Sequence, residues 1–209
     1  RLAWLTGFTG SAGLCVALRD RAAVFVDGRY TLQARDQVDA AAFEIVALAD
    51  QSPEAWLAEA LPAEATLGLD AMLHTTAQVE RLESAAEKAG GAVRLLSENP
   101  LDAIWEDQPP APTGAVHPHP EALAGEGARE KRARIAAAIA QEGADAAVLT
   151  LPDSIAWLLN IRGADVPRNP APLAMALLRA DGTATLFAAE DKFDAAARAH
   201  LGAEVAIAA

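Results

Sequence analysis

Prolines Pro109, Pro110, Pro112, Pro118 and Pro120, together with Gly114, crowd residues 106–120. Each proline fixes φ and removes a backbone donor, so neither a helix interior nor a central strand can run through such a stretch. The composition is that of a stiff, extended connector. We therefore place a first domain at residues 1–108, a proline-rich linker at 109–120 and a second domain at 121–209. With 52% hydrophobic residues in 209, there is apolar material for a real core.

Apolar runs and turn residues predict the elements. In the first half, residues 13–18 and 22–26 read as strands around the polar turn 19–21. A helix over about 29–38 and a strand over 43–48 follow. Ser52-Pro53 is a helix start, with serine as the cap and proline at the first helical position. A short strand covers 66–69. Thr75-Thr76-Ala77-Gln78 has the form of a capping box, opening a helix that closes at Gly90-Gly91. A strand over 92–95 and a short helix over 100–105 complete the half. The second half reads as a helix over 129–142, a buried strand over 146–149 and a short helix over 152–159. A long loop over 160–172 leads to a hairpin around Asp181-Gly182, with strands over 173–178 and 183–187. A helix over 190–200 and a strand over 204–207 end the chain.

The two halves share a segment. Ala3-Trp4-Leu5-Thr6-Gly7-Phe8-Thr9-Gly10 resembles Ala156-Trp157-Leu158-Leu159-Asn160-Ile161-Arg162-Gly163, with Phe8 opposite Ile161. A hairpin, a helix and a strand follow each copy, which points to duplication. A helix and a strand precede the second copy and not the first. The expectation is that a leading helix and strand of the first domain lie outside this sequence.

Charge narrows the function classes. Lys+Arg number 17 against 29 Asp+Glu, a formal net charge of -12. That balance argues against nucleic-acid backbones and anionic membranes, and no apolar run reaches the ~20 residues of a membrane span. A single cysteine, Cys15, excludes an intrachain disulfide and fits a reducing, cytoplasmic compartment.

Local chemistry is sparse. Gly7, Gly10 and Gly13 precede a strand, with no lysine after them, which is the wrong order for a phosphate loop. His117 and His119 lack the third and fourth ligands of a metal site, and His74 and His200 stand alone. Cys15 sits in an apolar strand, and Ser11 and Ser154 have no basic partner nearby. Trp4, Trp56, Trp105 and Trp157 are expected in the core. Two features stand out. In Asp27-Gly28-Arg29-Tyr30 the turn is expected to put Arg29 into the first turn of a helix, where a cation opposes the helix dipole. Either Arg29 pairs with Asp27 or Asp36, or it is aimed at an anionic group outside its domain. The loop over residues 160–170, with Arg162 and Asp165, is long, polar and stiffened by prolines. It is either a functional loop or a locally paired connector.

Four stretches in order resemble the N-terminal part of the aminopeptidase P family in its long, three-domain form. They are the segment from Arg1 to Gly13, the segment Asp27-Gly28-Arg29-Tyr30-Thr31-Leu32-Gln33-Ala34, the segment Leu101-Asp102-Ala103-Ile104-Trp105, and the segment from Ile155 to Val166. The resemblance implies an α/β fold of two related creatinase/prolidase N-terminal-like domains, each a mixed β-sheet flanked by helices. It implies a downstream pita-bread catalytic domain holding two divalent metal ions, typically manganese, and a proline-containing peptide substrate cleaved after its first residue. It also implies a homodimer, no catalytic residue or cofactor in residues 1–209, and a front region that shapes substrate access. Arg29, Arg162 and Asp165 are then the residues facing the substrate. A prolidase or creatinase-like hydrolase, and a stand-alone binding module, remain as alternatives.

Overall fold

The computed structural model describes residues 1–209, and the chain divides into Arg1–Gln108 and Pro109–Ala209. The first unit runs α1 (Leu2–Thr6), β1 (Gly13–Ala17), β2 (Ala22–Val26), α2 (Thr31–Gln37), β3 (Glu44–Ala47), α3 (Pro53–Ala60), β4 (Thr66–Asp70), α4 (Thr76–Lys88) and β5 (Ala92–Leu96). One sheet has the order β1-β2-β3, antiparallel then parallel; β4 and β5 form a separate parallel pair. The unbroken apolar sequence of β2 has a physical reading: a strand buried on both faces needs no alternation. Ala23 and Phe25 pack against Trp56 and Leu57 of α3 and Leu82 of α4. Val24 and Val26 point the other way, to Phe8, Ala34 and Val38. The helix starts are as the sequence predicts. Ser52 Oγ accepts from Ala55 N–H at 3.1 Å, and Thr75 and Gln78 form a reciprocal capping box.

The second unit runs β6 (His117–Pro118), α5 (Glu121–Ala124), α6 (Ala128–Gln141), β7 (Ala146–Leu149), α7 (Pro152–Leu159), β8 (Ile161–Arg162), β9 (Met175–Arg179), β10 (Ala184–Phe187), α8 (Ala195–Leu201) and β11 (Val205–Ala208). Its main sheet has the order β11-β10-β9-β7, and only β10 and β11 run parallel. Here the strands do alternate. Ala176, Leu178, Ala184 and Leu186 pack with Ile139 of α6, Ile155 and Leu159 of α7, and Leu201 of α8. The opposite face leaves Val148, Met175 and Phe187 exposed.

The duplication is visible in topology. β1-β2-α2-β3 and β9-β10-α8-β11 are each an antiparallel hairpin, a helix and a strand parallel to the hairpin's second arm. In each unit the shared Ala-Trp-Leu segment forms the helix before that hairpin.

Several local expectations need correction. Residues 100–105 make one turn closed by Trp105 N–H donating to Leu101 O at 2.9 Å, and not a helix. The expected helix over 190–200 is broken at Phe193. That residue is extended so that its ring drops into the core, and the helix restarts on an Asp194 cap. The proline-rich stretch has neither helix nor strand over residues 108–115, and its end is built into the second unit. Val116 is 1% exposed and donates its N–H to Lys192 O, and His117 and Pro118 pair with Arg162 and Ile161. Of the tryptophans, Trp56 is core, whereas Trp4 and Trp157 are 40% and 44% exposed. Trp4 stacks on Trp105 at 5.3 Å, and Trp157 lies under the Lys131 ammonium at 4.5 Å.

Candidate functional site

β2 delivers Asp27 at its end, and the turn that follows carries Arg29. Helix α2 begins at Thr31 with Tyr30 as its cap, so Arg29 stands before the helix and not within its first turn. Asp27 Oδ1 accepts the Arg29 backbone N–H at 2.9 Å, which fixes the turn. The side chains then close on each other, with Arg29 Nη2 donating to Asp27 Oδ2 at 2.6 Å and Nε to both carboxylate oxygens at 3.1 Å. This hydrogen bond from Arg29 holds the Asp27 carboxyl below its ordinary value. The guanidinium also lies 5.1 Å from the Tyr30 ring centre. The partner is Asp27 and not Asp36. Even so, the Arg29 side chain is 66% exposed and its Nη1 has no protein acceptor.

The loop from Gly7 to Gly10 backs this turn. Tyr30 Oη and Ser11 Oγ are 2.6 Å apart, and that bond lowers the tyrosine's pKa. The Tyr30 ring meets Phe8 edge-on at 5.6 Å. Thr9 N–H donates to Gln37 Oε1 at 2.9 Å, tying the loop to α2. Together these contacts present a charged fork on a braced support. A rigid guanidinium suits bidentate recognition of a carboxylate or another planar anion.

In the second unit, Asp165 is placed differently. Its side chain is fully buried, at 0% exposure. Oδ1 accepts Gly114 N–H at 2.9 Å; Oδ2 accepts Leu173 N–H at 2.7 Å and the Lys192 ammonium at 3.0 Å. Burial pushes the Asp165 carboxyl up, but the Leu173 N–H, Lys192 and the Gly114 N–H outweigh it and hold the carboxyl below its ordinary value. Asp165 is a fastening point for three segments of its own unit. Arg162 does not bond to it. Its Nη1 donates to Ile161 O at 2.8 Å, beside a small hollow of about 160 Å³ lined also by Asp153, Trp157 and Pro170.

Sequence reading did not single out Lys131. It is 1% exposed, and its ammonium donates to Asn160 Oδ1 at 2.8 Å and Trp157 O at 3.0 Å. Asn160 in turn donates to Glu126 O at 2.9 Å. The available signal was Asn160 in the C-cap position of a short helix, where asparagine tolerates a left-handed backbone.

No three His, Cys, Asp or Glu side chains gather into a group that could hold a metal ion, so the residues present do not fit a dimetal centre. Burial pushes the Cys15 thiol up to about 11, which makes it a poor nucleophile near neutral pH. No helix is long and apolar enough to cross a membrane.

Family models described as the Creatinase/Prolidase N-terminal domain match residues 1–98 and 107–209. A protein described as a probable Xaa-Pro aminopeptidase P from Paracoccidioides lutzii is 34% identical over 99% of the chain, which covers 34% of that relative. A relative of the same description from Coccidioides posadasii is also 34% identical, over 99% of the chain and 32% of its own length. Among solved structures, the X-prolyl aminopeptidase of Caenorhabditis elegans, a cytosolic enzyme with a di-nuclear active site, superposes with a TM-score of 0.88 at 29% identity, over 99% of the chain and 34% of that protein. The chain thus spans about a third of the length of the relatives it matches.

Proposed function

Because the chain belongs to the creatinase/prolidase N-terminal domain family and carries two such domains in series, we propose that it is the non-catalytic N-terminal region of a metal-dependent Xaa-Pro aminopeptidase. The observation that supports this best is the superposition over 99% of the chain onto a third of a di-nuclear X-prolyl aminopeptidase. On this reading two divalent ions, with manganese as our expectation, are bound by a catalytic domain outside residues 1–209. Bound there, they would activate water for hydrolysis as Lewis acids. The two units described here shape the approach of a proline-containing peptide and take part in assembly, as a cytosolic homodimer.

Within this front region, Arg29 is the residue we assign to substrate. It is exposed, braced by Asp27 through Nε and Nη2, and keeps its Nη1 without a protein acceptor. Arg162 is a secondary candidate at the edge of its hollow, and Asp165 serves by holding the adjacent loop.

The test compares the gene-encoded, full-length protein with residues 1–209, each assayed with manganese on an Xaa-Pro peptide and on an Xaa-Pro dipeptide. The expected result is release of the first residue of the longer peptide by the full-length protein only. Hydrolysis by residues 1–209 alone, or none by the full-length protein, overturns the proposal. Preference for the dipeptide would make the parent a prolidase.

A further inference from the structure

Trp4 and Trp157 hold the same place in the repeat but meet different partners. Trp4 stacks on Trp105 at 5.3 Å, whereas no aromatic ring packs on Trp157. Trp157 is 44% exposed, yet it is not loose. The Lys131 ammonium lies 4.5 Å from its ring centre and also donates to Trp157 O at 3.0 Å. The Arg134 guanidinium lies 5.8 Å from the same ring and is itself pinned by Glu126 Oε2 at 2.7 Å. A half-exposed aromatic that is already fixed loses little freedom on meeting a ligand.

Trp157 lines the hollow of about 160 Å³ beside Arg162. Pro170 and Ala171 line it too, and Gly163 N–H donating to Pro170 O at 2.8 Å braces that side. Sites that take drug-sized ligands begin at ~300 Å³, so this one has room for a single small ring.

The charges around the hollow select the ring. Asp153 is exposed and pairs with no cation of the chain. Arg162 gives only Nη1 to the protein, to Ile161 O at 2.8 Å and Ala156 O at 3.5 Å, which leaves Nε and Nη2 free. A ligand that is only a cation is disfavoured, because Lys131 and Arg134 already engage the electron-rich ring. A ligand that is only an anion meets the Asp153 carboxylate. What fits is an apolar ring with an ammonium on one side and a carbonyl on the other. Among peptide residues, an N-terminal proline has that chemistry, since its ring nitrogen is the ammonium. Aromatic surfaces and N-terminal amine capture are both recurrent devices of peptide recognition.

We infer that this hollow is a recognition site for the N-terminal proline of a peptide. The ring N–H groups donate to Asp153, the ring lies on Trp157 beside Pro170, and the first carbonyl accepts from the free N–H groups of Arg162. A peptide of this kind is what remains once the residue ahead of proline is removed. The source of the ligand thus rests on the proposed function, whereas the fit of the hollow does not.

Fluorine NMR on the gene-encoded, full-length protein labelled with fluorotryptophan tests it. The resonance lost in Trp157→Phe identifies Trp157. Titration with Pro-Gly-Gly should shift that resonance to saturation. Acetylating the peptide's nitrogen, replacing its proline by alanine, Asp153→Asn and Arg162→Lys should each weaken binding roughly tenfold, as for loss of one contact. A Trp157 resonance that stays still overturns the inference. So does one that moves equally with the acetylated peptide, or equally in both charge variants. Hydrolysis of an Xaa-Pro peptide by the same preparation judges the proposed function separately. Hydrolysis with a still Trp157 resonance overturns this inference alone, and a shifted resonance without hydrolysis overturns the proposed function alone.

Discussion

Gly7 and Asn160 occupy the same left-handed position at the C-terminal ends of corresponding helices, with φ of 76° and 49°. They are also opposite each other in the shared segment, and the next residues, Phe8 and Ile161, are 1% and 0% exposed. The duplication has therefore kept a backbone turn that aims one apolar side chain inward, while the residue making the turn changed. Gly7 uses its lack of a side chain, because a Cβ there would lie 2.8 Å from Gln37 O. Asn160 uses its side chain, which receives the Lys131 ammonium. Gly7→Ala should destabilise the first unit by about 1–3 kcal/mol in urea unfolding. Asn160→Gly relaxes the backbone yet strips a buried lysine of an acceptor, so a net loss of roughly 1–2 kcal/mol is expected. Native-like stability of Asn160→Gly would show that the Lys131 contact contributes nothing.

The buried Asp165–Lys192 pair gives the second unit a pH dependence. The Asp165 carboxyl lies below its ordinary value of 3.8 in the fold, so the folded state holds fewer protons than the unfolded state near that pH. Its contribution is complete above about pH 4 and declines as pH falls through the folded-state value. An acid titration of unfolding free energy should be steeper for the native chain than for Asp165→Asn. At pH 7, Asp165→Ala leaves Lys192 buried without its counter-charge and should cost about 3 kcal/mol. Equal acid slopes for the native chain and Asp165→Asn would contradict this account.

The role proposed for Arg29 can be tested apart from stability. Arg29 is exposed and Asp27 is half-buried, and a surface pair of this kind adds little to folding. Arg29→Ala should leave the unfolding midpoint close to native. In the full-length protein it should lower kcat/KM for Xaa-Pro peptides by roughly tenfold, as for loss of a charge-assisted contact to substrate. Arg29→Lys keeps the charge but loses the fork, and should recover only part of the loss. An unchanged kcat/KM in Arg29→Ala would remove Arg29 from the substrate path.

Legibility in the sequence followed the range of the interaction. Caps and turns are local, so Ser52-Pro53, Thr75 with Gln78, and Asp181-Gly182 announce their structures directly. The repeat was legible because its chemistry is local as well. Long-range contacts were not. Nothing near Phe193 in sequence says that its ring is required beside Val116, and that distant demand breaks the expected helix. The same holds at the candidate site. Asp27-Gly28-Arg29 shows its turn, but the three partners of Asp165 lie at Gly114, Leu173 and Lys192. Only the folded chain reveals that this carboxylate is a fastener.

The uncovered sheet face of the second unit carries the last prediction. Met175 and Phe187 are a direct cross-strand pair, 52% and 43% exposed, and Val148 on β7 is 70% exposed on the same face. In the first unit the corresponding face is covered, since Phe25 of β2 packs under Trp56 of α3 and Leu82 of α4. An apolar patch of this kind on an isolated chain favours association. Residues 1–209 should therefore show a concentration-dependent rise in sedimentation coefficient. Replacing Met175 and Phe187 together by lysine should abolish the rise. The side chains are already half in water, so each change should move unfolding by only about 0.5 kcal/mol. A native chain that sediments as a monomer at every concentration would show that this face is not adhesive. A double variant that unfolds much more easily would show that the pair supports the fold of the second unit itself.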